Sequence, residues 1–250
     1  MLAKILKSYE FFLVFNKEVF YNKFSYLWTL VIPGFFLVIN TWGIGSSFTY
    51  SEFRDVMFFY WSFIILMTAA NGIGVGILDM RDNNYLKTYK YISGSKTPIL
   101  LGRIESQCFF LLVNIIFFTL VSGFVFNQPT GSLLLTGAFV SVLVAIPVFL
   151  LLLIVTTLPF ESNSVAQVLI LFIIMLANLT SFNSDFQLMT DYIQVFNPAV
   201  VIGNSATVLH DFFLGNSNSM FIISVVPLIL YSLIGMLAYY RLDIISKKGR

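Results

Sequence analysis

Residues 78–98 read LDMRDNNYLKTYKYISGSKTP. The stretch gathers Asp79, Arg81, Asp82, Lys87, Lys90 and Lys96 in a chain of 250 residues that is 58% hydrophobic and only 10% charged. Long apolar runs flank it on both sides. Each of its charges would cost about 2.5–3.5 kcal/mol at the centre of a bilayer, so the stretch must lie outside any membrane that its flanks cross. A soluble domain carries roughly a quarter charged residues. The shortage here, with 28 Phe and a mean hydropathy of +0.88, points to an all-α integral membrane protein.

Crossing the hydrocarbon core takes about 20 apolar residues of helix. Working outward from residues 78–98, charge-free apolar runs predict six transmembrane helices, at about 24–42, 56–78, 106–126, 133–158, 165–182 and 220–240. The third and fourth are divided by the turn chemistry of NQPTGS at 127–132. Pro33, Pro147 and Pro227 fall inside spans, where neighbouring helices can satisfy the freed carbonyls. The whole chain, 1–250, reads as a single transmembrane domain.

The basic residues orient it. With six spans and both termini cytoplasmic, the inner segments hold Lys4, Lys7, Lys17 and Lys23, then Arg81, Lys87, Lys90, Lys96 and Arg103, then Arg241, Lys247, Lys248 and Arg250. Of the 14 basic residues only Arg54 is then outside, as the positive-inside rule requires. The expected location is the cell (plasma) membrane.

Three segments read as helices outside the spans. Residues 2–22 place Lys4, Lys7, Glu10, Lys17 and Glu18 on one face and mostly Leu, Phe and Val on the other, with Asn16 the exception, as in a helix lying in the inner interface. Residues 83–92 read as a short helix capped by Asp82 or Asn83 and ended by Gly94. Its stripe of Tyr85, Leu86, Tyr89 and Ile92 suits either lipid headgroups or a partner's groove, and its lysines, Lys87 and Lys90, suit an acidic rim. Residues 185–210 read as a broken helical pair dipping into the outer interface, with Asn197 as N-cap and Pro198 at the first helical position.

Chemistry is sparse. There is no GxxxxGK[ST] phosphate loop, no HExxH, no GxSxG and no cysteine pair, so neither a catalytic nor a metal site is expected, and ATP must be handled elsewhere. The one histidine, His210, reads as a solvated interfacial residue, and Cys108 as packing. No span carries a charge in its middle, which argues against a proton-driven carrier and for an outside energy source. Arg103 and Glu105 read as the cytoplasmic entry of the third span. Asn71, Asn114, Gln167 and Asn178 are uncharged polar residues in spans. Each suits interhelical hydrogen bonding or the lining of a translocation path. Gly72 and Gly76 make a GxxxG that permits close helix contact, within or between chains. A net charge of +2 gives no reason to expect nucleic acid.

Taken together, the chain resembles permease subunits of the ABC-2 type of ABC exporter. The resemblance lies in an N-terminal amphipathic connecting helix, a coupling helix at 83–92 between spans two and three, and an Asn197-Pro198 break before the last span. Asp79-Met80-Arg81, Leu86, Pro98 and Gly102-Arg103 fit the family's loop pattern. The resemblance implies a separate ABC ATPase (nucleotide-binding) subunit that carries ATP and Mg, and a second permease subunit, identical or different. It also implies export of an amphipathic or hydrophobic cargo: a drug, an antimicrobial peptide or a lipid. The ATPase-coupling residues would be Tyr85, Leu86, Lys87, Tyr89, Lys90 and Ile92. The alternatives are a related sensor or immunity subunit that binds a toxin peptide, and an exporter of polysaccharide or lipid-linked glycan.

Overall fold

Apolar runs without water to bond their backbone must close their hydrogen bonds internally, and a helix does this within one segment. The computed structural model describes residues 2–21, 23–41, 49–179, 194–216 and 220–244, and among these it contains helices and turns but no strand. The helices are α1 (Leu2–Tyr21), α2 (Lys23–Thr41), α3 (Tyr50–Asp82), α4 (Tyr85–Ser93), α5 (Thr97–Phe126), α6 (Gly131–Thr157), α7 (Ser162–Leu179), α8 (Pro198–Phe213) and α9 (Phe221–Arg241). Four of them, α3, α5, α6 and α9, are long and apolar enough to cross a membrane. The first and fifth expected spans fall on α2 and α7, which are 19 and 18 residues long. Large apolar side chains such as Phe35, Phe124, Leu171, Ile222 and Leu237 lie exposed along the bundle, far more than a soluble monomer shows.

The central helix is α3. Of its most apolar window 72% is buried, against 28% for α9 at the periphery. Trp61 sits at the middle of the core, fully enclosed, and its indole donates to Thr119 Oγ1 on α5 at 3.1 Å. Met57, Ile64, Phe118, Val140 and Val144 belong to the same cluster. The long helices alternate in direction, so the bundle has an Arg81 end and a Tyr50 end. The two neighbouring helices begin or finish where the sequence chemistry says. Asn127 adopts φ 51° and returns its N–H to Gly123 to stop α5, and Gly94, at φ 78°, returns its N–H to Lys90 to stop α4.

Two local expectations change. Neither Asp82 nor Asn83 caps α4: Asn84 holds that position, while the Asn83 amide donates to Asp79. The helix of the third span starts at Thr97 and not at 106, so Arg103 and Glu105 lie within α5. Of the expected helical pair at 185–210, residues 185–193 fall outside the described residues. The second member, α8, keeps its Asn197 cap on Ala199 N and its Pro198 start. It packs against α3 and α9. Its first turn meets the middle of α9 through Tyr231, whose hydroxyl donates to the Phe196 carbonyl, and its last turn reaches Tyr50.

Two of the long helices contain π turns, at 69–75 in α3 and 140–144 in α6. The second lies just before Pro147, whose missing N–H would leave a carbonyl of that turn without its donor. The first has no proline to explain it.

The charges of residues 79–82 do more than mark a loop. Arg81 is 1% exposed. Its guanidinium donates to the carbonyls of Thr156, Leu158 and Phe160 at 2.9, 3.0 and 3.2 Å, and pairs with Asp82 at 3.1 Å. The other Asp82 oxygen accepts from Ser162 N at 3.0 Å, and Asp79 accepts from the Ser162 hydroxyl. The cation thus meets the carbonyl end of α6 and the anion meets the amide end of α7, the sign that each helix dipole favours. One buried ion pair folds the α6–α7 turn against the end of α3.

Removing one member of such a pair strands the other, at a cost of about 3–5 kcal/mol. Arg81→Ala is therefore expected to lower the unfolding temperature of the purified protein sharply. Arg54→Ala, which breaks an exposed pair with Asp55, is expected to change stability by no more than about 1 kcal/mol.

Candidate functional site

At the Arg81 end, α4 stands apart from the long helices and is held by a few contacts. Leu86 is fully buried beneath it. Tyr89 is half-buried, edge-on to Phe11 and Phe15 of α1 with ring centroids 5.4 and 6.2 Å away. Burial raises the Tyr89 phenol pKa, with Glu18 and Tyr85 adding and Arg103 opposing, so the hydroxyl stays neutral. Lys7 of α1 donates to the Ser93 carbonyl at 3.0 Å and ties the far end of α4 down.

The stripe expected from the sequence therefore divides. Leu86 and Tyr89 face inward and serve as anchors. The exposed face consists of Tyr85, Lys87, Lys90, Tyr91 and Ile92, with Tyr91 78% and Ile92 69% exposed. Tyr91 lies outside the expected stripe and joins this exposed face. Helical periodicity shows which residues share a side, but not which side the neighbours cover: α5 packs against α4, and α1 meets it at Tyr89 through Phe11 and Phe15.

Among the residues of α1, Glu10, Lys17 and Glu18 are exposed, although Glu18 reaches Arg103, Lys7 is half-buried, and the Lys4 side chain falls outside the described residues. Asn16, the polar exception on the apolar face, accepts from Ser106 of α5 at 2.7 Å, and Ser8 donates to Glu105 at 3.2 Å. Phe11, Phe15 and Val19 are buried. An aromatic and polar seam therefore fixes α1 to α5, while Ile5, Leu6, Val14 and Phe20 stay exposed.

Sequence reasoning missed Arg103. Its side chain is 4% exposed. Nε donates to the Gly72 carbonyl of α3 at 2.9 Å, Nη1 pairs with Glu18 at 2.8 Å, and the guanidinium lies 5.0 Å over the Phe15 ring. A charge inside a long apolar helix was the available signal, obscured because the helix was expected to begin after it. Gly72 and Gly76, the GxxxG pair, face α5 of the same chain. A Cβ at Gly76 would stand 2.6 Å from Arg103 Nη2, and one at Gly72 would collide with Gln107.

Of the four expected path residues, the three with described side chains do not converge. Asn114 is buried and donates to Thr29 of α2 at 3.1 Å, an interhelical hydrogen bond. Asn71 and Gln167 are exposed on α3 and α7, and the Asn178 side chain falls outside the described residues. The larger feature is an apolar cleft of about 1090 Å³ between α3, α6, α7, α9 and the start of α8, lined among others by Leu66, Val155, Leu169, Phe172 and Ile234. Two polar side chains on its wall have partners within the chain: Asn197 bonds Leu176 and Ala199, and Tyr231 bonds Phe196.

His210 is a correction. It is fully buried at the Tyr50 end, not solvated, with Nδ1 3.1 Å from Thr136 Oγ1 and Nε2 3.4 Å from the Tyr50 hydroxyl. Among the described residues, no group of three or more His, Cys, Asp or Glu could hold a metal ion. Burial and then the Arg54 cation lower the His210 pKa below 6.5, against the pull of Asp211.

Leu86→Ala is expected to destabilise the protein by about 2–5 kcal/mol as a cavity forms. Ile92→Ala should stay within about 0.5 kcal/mol, because Ile92 loses no packing. Unfolding monitored by tryptophan fluorescence distinguishes the two. Lowering the pH through about 6.5 protonates His210 in the unfolded chain before the folded one, so stability is expected to fall over that interval. His210→Gln should flatten this dependence in melts recorded from pH 5 to pH 8.

Comparison with protein-family models, with curated proteins and with solved structures returned no match, and the reading of the site rests on the geometry above.

Proposed function

We propose that this chain is the permease subunit of an ATP-driven exporter of the ABC-2 type, with α2, α3, α5, α6, α7 and α9 as its six spans and both termini in the cytoplasm. The observation that carries this reading is α4. It is a nine-residue helix at the Arg81 end, anchored by Leu86 and Tyr89, presenting two tyrosines, two lysines and Ile92 outward. An exposed aromatic and aliphatic cluster rimmed by cations suits a protein groove with an acidic border. The distribution of basic residues assigns that end to the cytoplasm, where a separate ATPase subunit carrying ATP and Mg would meet it. With no phosphate loop in its sequence, the chain needs such a partner.

A second permease subunit, identical or different, would complete the path across the cell membrane. The apolar cleft favours an amphipathic or hydrophobic cargo, since its wall offers few polar atoms and its Asn197 and Tyr231 groups are already bonded within the chain. Drugs, antimicrobial peptides and lipids share that chemistry.

The test is Mg-ATP hydrolysis by the complex purified from native membranes through a tag on this chain, together with ATP-dependent cargo uptake into inverted vesicles. The triple variant Tyr85→Ala, Tyr91→Ala, Ile92→Ala is expected to lose about tenfold or more of the co-purifying hydrolysis at an unchanged unfolding temperature. If the triple variant hydrolyses ATP and transports normally, α4 is not the contact. If the unaltered complex hydrolyses no ATP, the permease reading is wrong.

A further inference from the structure

The π turn at 69–75 lacks a proline, and its geometry identifies what holds it open. In an α-helix the Gly76 N–H would donate to the carbonyl four residues back, on Gly72. Here it donates to Asn71 and Ile73 instead. The Gly72 carbonyl accepts Arg103 Nε at 2.9 Å. The guanidinium therefore stands in for the helical donor that the π turn has displaced. Gly76 makes the room, since a Cβ there would stand 2.6 Å from Nη2.

The same guanidinium is tied outward. Nη1 is held by Glu18 of α1 at 2.8 Å, and Phe15 of α1 lies beneath it at 5.0 Å. Phe15 in turn packs against Tyr89 of α4 at 6.2 Å. A continuous line of contacts thus runs from α4 through α1 and α5 to the backbone of α3, about 15 Å from the Arg81 end of that helix at 1.5 Å per residue. Lines of contact carry coupling only when they bias an element with two discrete arrangements. A π turn is such an element: it closes its ring one residue later than an α turn. Conversion between the two displaces one flank of the helix against the other by up to one residue, about 100° and 1.5 Å. The Arg81 clamp anchors the 76–82 flank, so the 50–68 flank and the segment between must take up the change.

We propose that Arg103 is a positioning residue, a latch that holds α3 in its π register and releases it when α1 and α4 move together. The latch turns Asn71 and the upper half of α3 relative to α7 and so reshapes the apolar cleft on that side. The driving force for the movement rests on the permease reading; the latch itself does not.

The test is a register-sensitive cross-link in the full chain, with Cys108→Ala as background. A Cβ at position 74 would lie 3.6 Å from Val155 Cβ, within the span a disulfide closes. Gly74→Cys with Val155→Cys is therefore expected to oxidise rapidly while Arg103 is in place. A charge-assisted hydrogen bond shifts a two-state equilibrium by about tenfold or more, so adding Arg103→Lys should slow the cross-link, by up to that factor where the π register becomes the minor state. Glu18→Gln, a change at a half-exposed side chain that spares the fold, should slow it in the same direction. Two results would overturn the latch: no cross-link with Arg103 intact, or wild-type cross-linking in both variants when each elutes as one folded species. Slowed cross-linking in a protein whose complex hydrolyses no ATP would support the latch while removing the permease reading.

Discussion

A guanidinium enclosed in an apolar bundle must find an acceptor for its N–H groups, because water is not there to serve. Arg81 meets that demand by collecting three carbonyls from the end of α6 and the turn after it, and by pairing with Asp82, which takes the first amide of α7. The remaining architecture is organised around that junction. Two helices that would otherwise leave orphaned backbone groups at a sharp turn are sealed against α3. With α6 and α7 pinned there, α3 occupies the centre and the apolar cleft opens beside it.

Arg103 repeats the principle one helix away, with a different outcome. Its partners are one backbone carbonyl, one carboxylate that is half exposed, and one aromatic face. The Arg81 network joins elements at a single end of the bundle. The Arg103 network joins a helix that contacts the bundle from outside to the middle of its central helix. In the first arrangement the ion pair itself is enclosed, with both side chains almost fully buried. The second has an open side at Glu18, where a change in the position of α1 reaches the buried carbonyl directly.

The surfaces divide in the same way. Exposed Phe, Leu and Ile along the long helices are what a bilayer would cover. Exposed Tyr85, Tyr91 and Ile92 on α4, interspersed with lysines, sit on a helix that is itself too short to span anything. The buried His210 cluster at the opposite end has no such exposed counterpart: its hydroxyls and imidazole bond one another, and it joins the starts of α3 and α6 to the last turn of α8.

Much of this was legible in the residues alone. Hydropathy and charge scarcity determined the helical membrane class, because few other ways exist to satisfy a backbone in so apolar a chain. Asn127, Gly94 and Asn197-Pro198 marked helix ends correctly, since left-handed backbone and capping are local properties. Asn16 announced itself as an unpaired polar group on an apolar face, and Ser106 answers it. What only the tertiary structure decided is which side of each helix meets a neighbour. Leu86 and Ile92 look alike in sequence, yet one is core and the other exposed. Arg81 and Arg103 look like loop charges, yet both are buried and bonded to backbone carbonyls. Periodicity is set by the chain's own turn angle, whereas burial and charge pairing are set by helices distant in sequence, and no local pattern encodes where those helices will lie.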